Sequence, residues 1–233
     1  MNGFLGGKEN LFDFGTLAPD YDQWYDEKMG GRFDRLEKRA MRSLFRGIVK
    51  KGTLLEIGSG TGWWSEWFSR MGFRVTGVDI SWEMVAVAKK KKIANAAFVC
   101  EDGQRLSFLD NSFDVACAVT SLEFAREPET VIGEMVRCTR PGGHLILGIL
   151  NADSPLNIAR RKVPGSPYEW ARFFSVTDLT PRLAPFGRVK ILHCAYAPSL
   201  KLPPPLCGVV DDVMAFCGIG IGAFLAVKVA LRG

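Results

Sequence analysis

Residues 55–62 read Leu-Glu-Ile-Gly-Ser-Gly-Thr-Gly, an apolar run that breaks into alternating glycines. Directly after it, Trp63, Trp64, Trp67 and Phe68 recur on one face of a helix. Glycine has no Cβ, so a strand-to-helix turn of this composition brings backbone close to a ligand that side chains would hold off. The chain around it must therefore supply a strand, a tight turn and a helix in that order.

The same alternation continues downstream. Residues 73–78 form a second strand pattern closed by Asp79. Ser81 then stands where a helix N-cap belongs, ahead of Met84, Val85 and Ala88 and a lysine-rich end. Residues 97–100 and 113–119 read as strands three and four. Pro128 opens a helix whose buried stripe is Val131, Ile132, Met135 and Val136. Pro141-Gly142-Gly143 stops that helix, and residues 144–150 are the fifth strand. Strands separated by single helices need crossover connections, hence a mainly parallel sheet covered on both faces. Residues 189–196 read as a sixth strand, residues 198–205 as a proline-rich irregular stretch, and residues 223–231 as a last strand. Only the glycine-rich link 218–222 precedes that strand. With no helix between, it is expected to pair antiparallel. The expected fold is α/β, a Rossmann-like doubly wound, mainly parallel seven-stranded sheet with the last strand antiparallel and helices on both faces.

Composition narrows the class. The chain has 233 residues, 47% of them apolar and 24% charged, which suits one substantial core. Thirty basic against twenty-five acidic side chains leave +5, too mild to require a polyanion. The basic clusters Lys89-Lys90-Lys91-Lys92 and Arg160-Arg161-Lys162 read as solvated helix ends. Six cysteines form no CxxC and read as buried thiols in a reducing compartment. Residues 1–14 mix charges with short apolar pieces, unlike a signal peptide. The longest apolar stretch, residues 213–227, falls short of the roughly 20 residues that span a bilayer. A cytoplasmic protein with no membrane span and no metal is expected.

Two acidic positions give the glycine loop its chemistry. Asp79 follows at the end of the next strand, about 20 residues on, where a carboxylate meets ribose hydroxyls. Glu101-Asp102-Gly103 closes the third strand at the same sheet edge. Three polar loops at successive carboxyl ends describe a nucleoside site. The dinucleotide fingerprint asks for glycine where Trp63 stands, and no Gly-Lys-Ser/Thr follows for a phosphate loop.

The pattern resembles the class I S-adenosylmethionine-dependent methyltransferases, in the small-molecule branch that includes the ubiquinone/menaquinone-type enzymes. Residues 55–62 match its first motif and residues 78–84 (Val-Asp-Ile-Ser-Trp-Glu-Met) the second. Residues 101–108 with Phe113-Asp114-Val115 match the third and the start of the fourth, and residues 136–143 the turn that follows. The resemblance implies S-adenosylmethionine as cofactor and a site residue by residue. Amides around Gly58, Ser59 and Gly60 would face its methionine part, with Glu56 toward the ammonium. Asp79 would take both ribose hydroxyls, Ile80 and Met84 the adenine face, and Asp102 with the Gly103 amide the adenine edge. Met84 reads equally as a packing methionine. Thr120 opens the loop beside the transferable methyl. The resemblance also divides a single domain 1–233 into an N-terminal helical lid (1–50), a cofactor-binding core (51–151), substrate-side insertions (152–222) and the last strand (223–231).

Tyr21 and Tyr25, four apart in Asp20-Tyr21-Asp22-Gln23-Trp24-Tyr25-Asp26, share one helical face. They either close over the cofactor or only pack on the sheet. Glu123 reads either as a surface carboxylate, the favoured reading, or as a group that orients or deprotonates a substrate, and no catalytic residue is assigned. Tyr168, Trp170, Phe173, Phe174 and the loop near Pro203 are expected to wall a partly aromatic acceptor pocket. The expected function is methyl transfer to a small-molecule acceptor by in-line displacement, with oligomeric state open. An RNA methyltransferase and a non-catalytic cofactor-binding relative are the alternatives. A nucleic-acid partner is disfavoured, since no RNA-binding appendage or broad basic surface is visible.

Overall fold

The structure is a computed structural model that describes residues 14–48, 51–196 and 204–233. The terminal segment 1–13 and the proline-rich residues 197–203, including the proposed wall at Pro203, lie outside the described residues. A short 3-10 turn (Gly15–Leu17) leads into α1 (Gln23–Asp26) and α2 (Gly30–Leu44). Then come β1 (Thr53–Ile57), α3 (Trp63–Arg70), β2 (Arg74–Asp79), α4 (Trp82–Lys90), β3 (Ala96–Cys100) and β4 (Phe113–Val119). A second 3-10 turn (Leu122–Phe124) precedes α5 (Pro128–Cys138) and β5 (Thr139–Leu150). The remainder is α6 (Pro155–Arg160), α7 (Pro167–Trp170), α8 (Val176–Leu183), β6 (Gly187–Cys194), α9 (Pro204–Phe216) and β7 (Phe224–Leu231).

The seven strands run in the order β3-β2-β1-β4-β5-β7-β6. Every neighbouring pair from β3 to β5 is parallel, and β7 is antiparallel to both β5 and β6. The expected fold therefore holds, including the reversed last strand. One expectation fails: α9 does stand between β6 and β7. Its residues 213–216 belong to the apolar stretch that suggested only an approach to the last strand.

Period-two alternation divides the core. Leu54, Val115, Cys117, Ile146 and Phe224 pack against Phe33, Met41 and Leu44 of α2 and Trp64 and Phe68 of α3. Leu55, Ala116, Leu145, Leu147 and Val227 face Ile132 and Met135 of α5 and Leu183 of α8. The central strands β1, β4, β5 and β7 are thus apolar on both sides, as a doubly covered sheet requires. The strand order reverses between β1 and β4, and a crevice opens at the carboxyl ends there. Among the described residues no helix is long and apolar enough to cross a membrane. Cys117, Cys138 and Cys194 are buried free thiols, but Cys100 and Cys217 are exposed, so burial does not account for all the cysteines.

Candidate active site

The glycine loop leaves β1 with Gly58, Gly60 and Gly62 all in the left-handed region, at φ +71°, +52° and +81°. At Gly58 the space is closed as well, for a Cβ there would stand 2.3 Å from Ser121 Cβ. The loop's N–H groups turn inward. Gly58 N and Ser59 N donate to the Val78 carbonyl at 2.8 and 2.9 Å, and Gly60 N donates to Asp79 Oδ2 at 2.7 Å. The expectation that these amides face a ligand is corrected accordingly: the strand-β2 carbonyl and the Asp79 carboxylate already take them. What the loop offers a ligand is bare backbone at close range.

Asp79 ends β2 and joins three parts of the site. Its Oδ1 accepts from Ser81 N at 2.9 Å while Oδ2 holds the loop. Ser81 caps α4 as expected, accepting from Met84 N at 3.3 Å. Asp102 is exposed, and its Oδ1 accepts from Gln104 N at 2.9 Å.

These pieces surround one cavity of about 300 Å³. Of the expected site residues, Tyr21, Gly58, Gly60, Asp79, Ile80, Met84, Asp102, Gly103 and Thr120 line it. Ile80 is 70% exposed, whereas Met84 is buried. Glu56 and Ser59 are not in the lining. Glu56 points to the α3 side of the sheet, where Ser65 Oγ donates to its Oε2, and burial pushes its carboxyl up to about 8. Ser121 and Phe124, in the loop that Thr120 opens, also line the cavity, as do Phe14 and Arg126, which reasoning from sequence missed. Phe124 and Arg126 carry no motif, and only the bend after β4 turns them inward.

Thr120 shows where the backbone is strained. It sits at φ +46°, a conformation β-branched residues rarely adopt, pinned by its N–H to the Gly148 carbonyl at 2.8 Å. Glu123, three residues on, corrects another expectation: it is fully buried, not a surface carboxylate. Leu150 N donates to its Oε1 at 2.5 Å, and among the described residues its Oε2 has no hydrogen-bond partner. Burial outweighs that bond and pushes its carboxyl up to about 7.

The N-terminal segment is clasped onto the cavity rather than free. Thr61 Oγ1 donates to Asp22 Oδ1 at 2.6 Å, and Lys91 forms an ion pair with Asp22. The Tyr25 ring stacks on Trp63 at 4.2 Å, and Trp63 Nε1 donates to Asp34 Oδ1 at 2.7 Å. One lysine of the basic run is thus spent inside the protein.

A methyltransferase-domain family model matches residues 55–147, the segment that builds this cavity. The chain is 33% identical over 223 residues to an uncharacterised protein of Methanocaldococcus jannaschii, covering 94% of this chain and 98% of that one. It is 32% identical over 134 residues to the demethylmenaquinone methyltransferase of Renibacterium salmoninarum, and the match spans 58% of this chain and 55% of that enzyme. The chain belongs to the class I S-adenosylmethionine-dependent methyltransferases. Its fold agrees with that of a Thermotoga maritima S-adenosylmethionine-dependent methyltransferase described as a possible histamine N-methyltransferase, at TM-score 0.69 and 23% identity, covering 94% and 98% of the two chains. The cofactor of this family is S-adenosylmethionine, and the cavity suits it. The lining carries acidic groups (Asp79, Glu101, Asp102) for a cationic nucleoside, and the inward-turned amides leave no cradle for a phosphate.

Proposed function

We propose that this methyltransferase acts on a small-molecule acceptor entering beside Tyr21 and Phe124. The observation that supports this most is the convergence of the glycine loop, Asp79 and Asp102 on one hollow that Phe14, Tyr21 and Phe124 also line. The cofactor supplies a methyl group already activated on a sulfonium, so the protein's task is placement and exclusion of water. Gly58 and Gly60 would lie against the methionine part, Asp79 would take the ribose hydroxyls, Ile80 and Met84 would cover the adenine, and Asp102 with Gly103 would read its edge. Glu56 would act from behind the loop by supporting α3. Tyr21 would close the lid side, its hydroxyl kept protonated because burial pushes its pKa up to about 12. Holding donor and acceptor in line removes on the order of 7–11 kcal/mol of a bimolecular barrier.

Calorimetry with S-adenosylhomocysteine tests the reading. The expected result is one site per chain, weakened in Asp79→Ala by about 1.5–3 kcal/mol, the scale of hydrogen bonds to a charged group. Wild-type protein that binds no S-adenosylhomocysteine would end the proposal.

A further inference from the structure

Away from the cofactor cavity, the α2 side of the sheet carries two surface strips of different chemistry. On α9, Leu206, Val209, Val213 and Phe216 follow one another at spacings of three, four and three, so they share one face of the helix. They are 49%, 56%, 54% and 94% exposed. On the neighbouring α2, Arg35, Arg39 and Arg42, with Arg46 just past its end, recur at spacings of four, three and four, and all are exposed. The other face of α2 buries Phe33, Leu36, Met41 and Leu44 in the core, so the arginines point away from it.

Tertiary bonds fix how α9 is presented. The buried Asp211 accepts from Ala195 N at 2.9 Å and from Tyr196 N at 2.7 Å, which ties one side of the helix to the chain just past β6. On an adjacent side, Arg39 donates to Asp212 Oδ2 at 2.5 Å and to the Gly208 carbonyl at 3.3 Å, which sets α9 against α2. With those sides held, the apolar strip is left outermost, next to the arginine row. Asp212, the exposed acid of α9, is spent on Arg39, and among the described residues Arg35, Arg42 and Arg46 are in no ion pair.

A cluster of apolar side chains facing water is stabilised by whatever covers it. Here the cover must be apolar where it meets α9 and negative where it meets α2. A twofold contact with a second copy would bring two arginine rows together and add no unspent acid from either helix. A nucleic acid would satisfy the arginines but leave Leu206, Val209 and Val213 without an apolar counterpart. The strip also stands out as a ridge, which suits a soft apolar layer. We propose that α2 and α9 together form a docking face for an anionic lipid bilayer. Helix α9 lies in the plane of the membrane surface with its apolar strip among the acyl chains, and the arginines take headgroup phosphates. Since no described helix is long and apolar enough to cross a membrane, the contact is peripheral.

Flotation with vesicles tests this. Wild type, Val213→Ser/Phe216→Ser and Arg35→Gln/Arg46→Gln are mixed with vesicles of equimolar phosphatidylglycerol and phosphatidylcholine, or of phosphatidylcholine alone. The second variant spares Arg39, which holds α9, and Arg42, which lies over the Trp67 ring. All four substituted side chains are exposed, so the circular dichroism spectrum and thermal midpoint should stay those of wild type. The expected result is that wild type floats with the mixed vesicles, at least tenfold more weakly with phosphatidylcholine alone, and more weakly as salt rises. Each variant should lose tenfold or more of the binding to mixed vesicles. Wild type that does not float with the mixed vesicles, equal flotation with both kinds, or variants that float like wild type overturns the proposal. So does a dimer in sedimentation velocity that replaces flotation and is dissolved by Val213→Ser/Phe216→Ser, because a second copy is then the occupant. Single-stranded RNA binding that replaces flotation and is lost in Arg35→Gln/Arg46→Gln overturns it as well.

Discussion

At single residues, the site is governed by where hydrogen-bonding groups are already spent. Asp79 is both a ligand-facing carboxylate and the clamp on Gly60 and Ser81. Asp79→Asn keeps one acceptor oxygen but sets an NH2 donor against the other backbone amide, so it should lose the charge and one of the two clamps, lowering S-adenosylhomocysteine affinity by at least roughly tenfold and thermal stability with it. Gly58→Ala should do more harm, because the new Cβ meets Ser121 in a backbone region that disfavours alanine. A fall in thermal stability with affinity largely lost is expected, and wild-type behaviour in both would contradict the packing described. Thr120 offers the opposite case. Thr120→Asn puts a residue that tolerates left-handed backbone at a strained position, and the urea midpoint should rise by an amount equivalent to about 1 kcal/mol. Of these three, the sequence made Asp79 and Gly58 visible through their spacing. The strain at Thr120 was not legible, because it comes from the tie to Gly148 on the neighbouring strand.

Among elements, helix starts and strand ends carry the site. Ser81 both caps α4 and binds the end of β2, so Ser81→Ala should cost about 1 kcal/mol in chemical denaturation. The N-terminal segment adds a latch. Asp22 takes Thr61 and Lys91 together, binding the approach to α1 to the glycine loop and to the end of α4. Asp22→Ala should release that contact and raise the dissociation constant for S-adenosylhomocysteine several-fold, while global stability falls by less than about 1 kcal/mol because the ion pair is partly exposed. An affinity equal to wild type would show that the segment only packs. Strands β1 to β5 and helices α3 to α5 were readable from periodicity, since each has a clear apolar face. Helix α9 was not, because its proline-rich approach and glycine-rich exit look like loop and its apolar residues show no strong stripe. Four of them, Leu206, Val209, Val213 and Phe216, are exposed.

For the whole molecule, three buried glutamates couple stability to pH. Burial raises Glu37 and Glu56 to about 8 and Glu123 to about 7, from 4.5. Between pH 4.5 and those values the unfolded chain releases protons that the folded chain keeps, so stability falls as pH rises through that window. It levels off once the folded carboxyls ionise. Glu129, Glu134 and Asp178 are held low by hydrogen bonds and act in the opposite sense, but only at more acidic pH. Urea unfolding should give a free energy lower at pH 8 than at pH 5 by several kcal/mol. Glu56→Gln, which cannot ionise in either state, should flatten that dependence. A wild-type stability that rises from pH 5 to pH 8 would contradict the burial of these groups.

Local patterns in the chain suffice for the doubly wound sheet and the cofactor hollow: apolar alternation, glycine spacing and carboxylates at strand ends. The reversed last strand was expected for want of a helix before it, but α9 fills that place, and its direction is set by pairing with β5 and β6. That the loop amides turn inward, that Glu56 sits behind the loop and that Glu123 is buried follows only from the tertiary arrangement. Each of those depends on a partner distant in the chain, such as Val78, Ser65 or Leu150, and chain-local patterns hold no record of which distant group will take a given donor or acceptor.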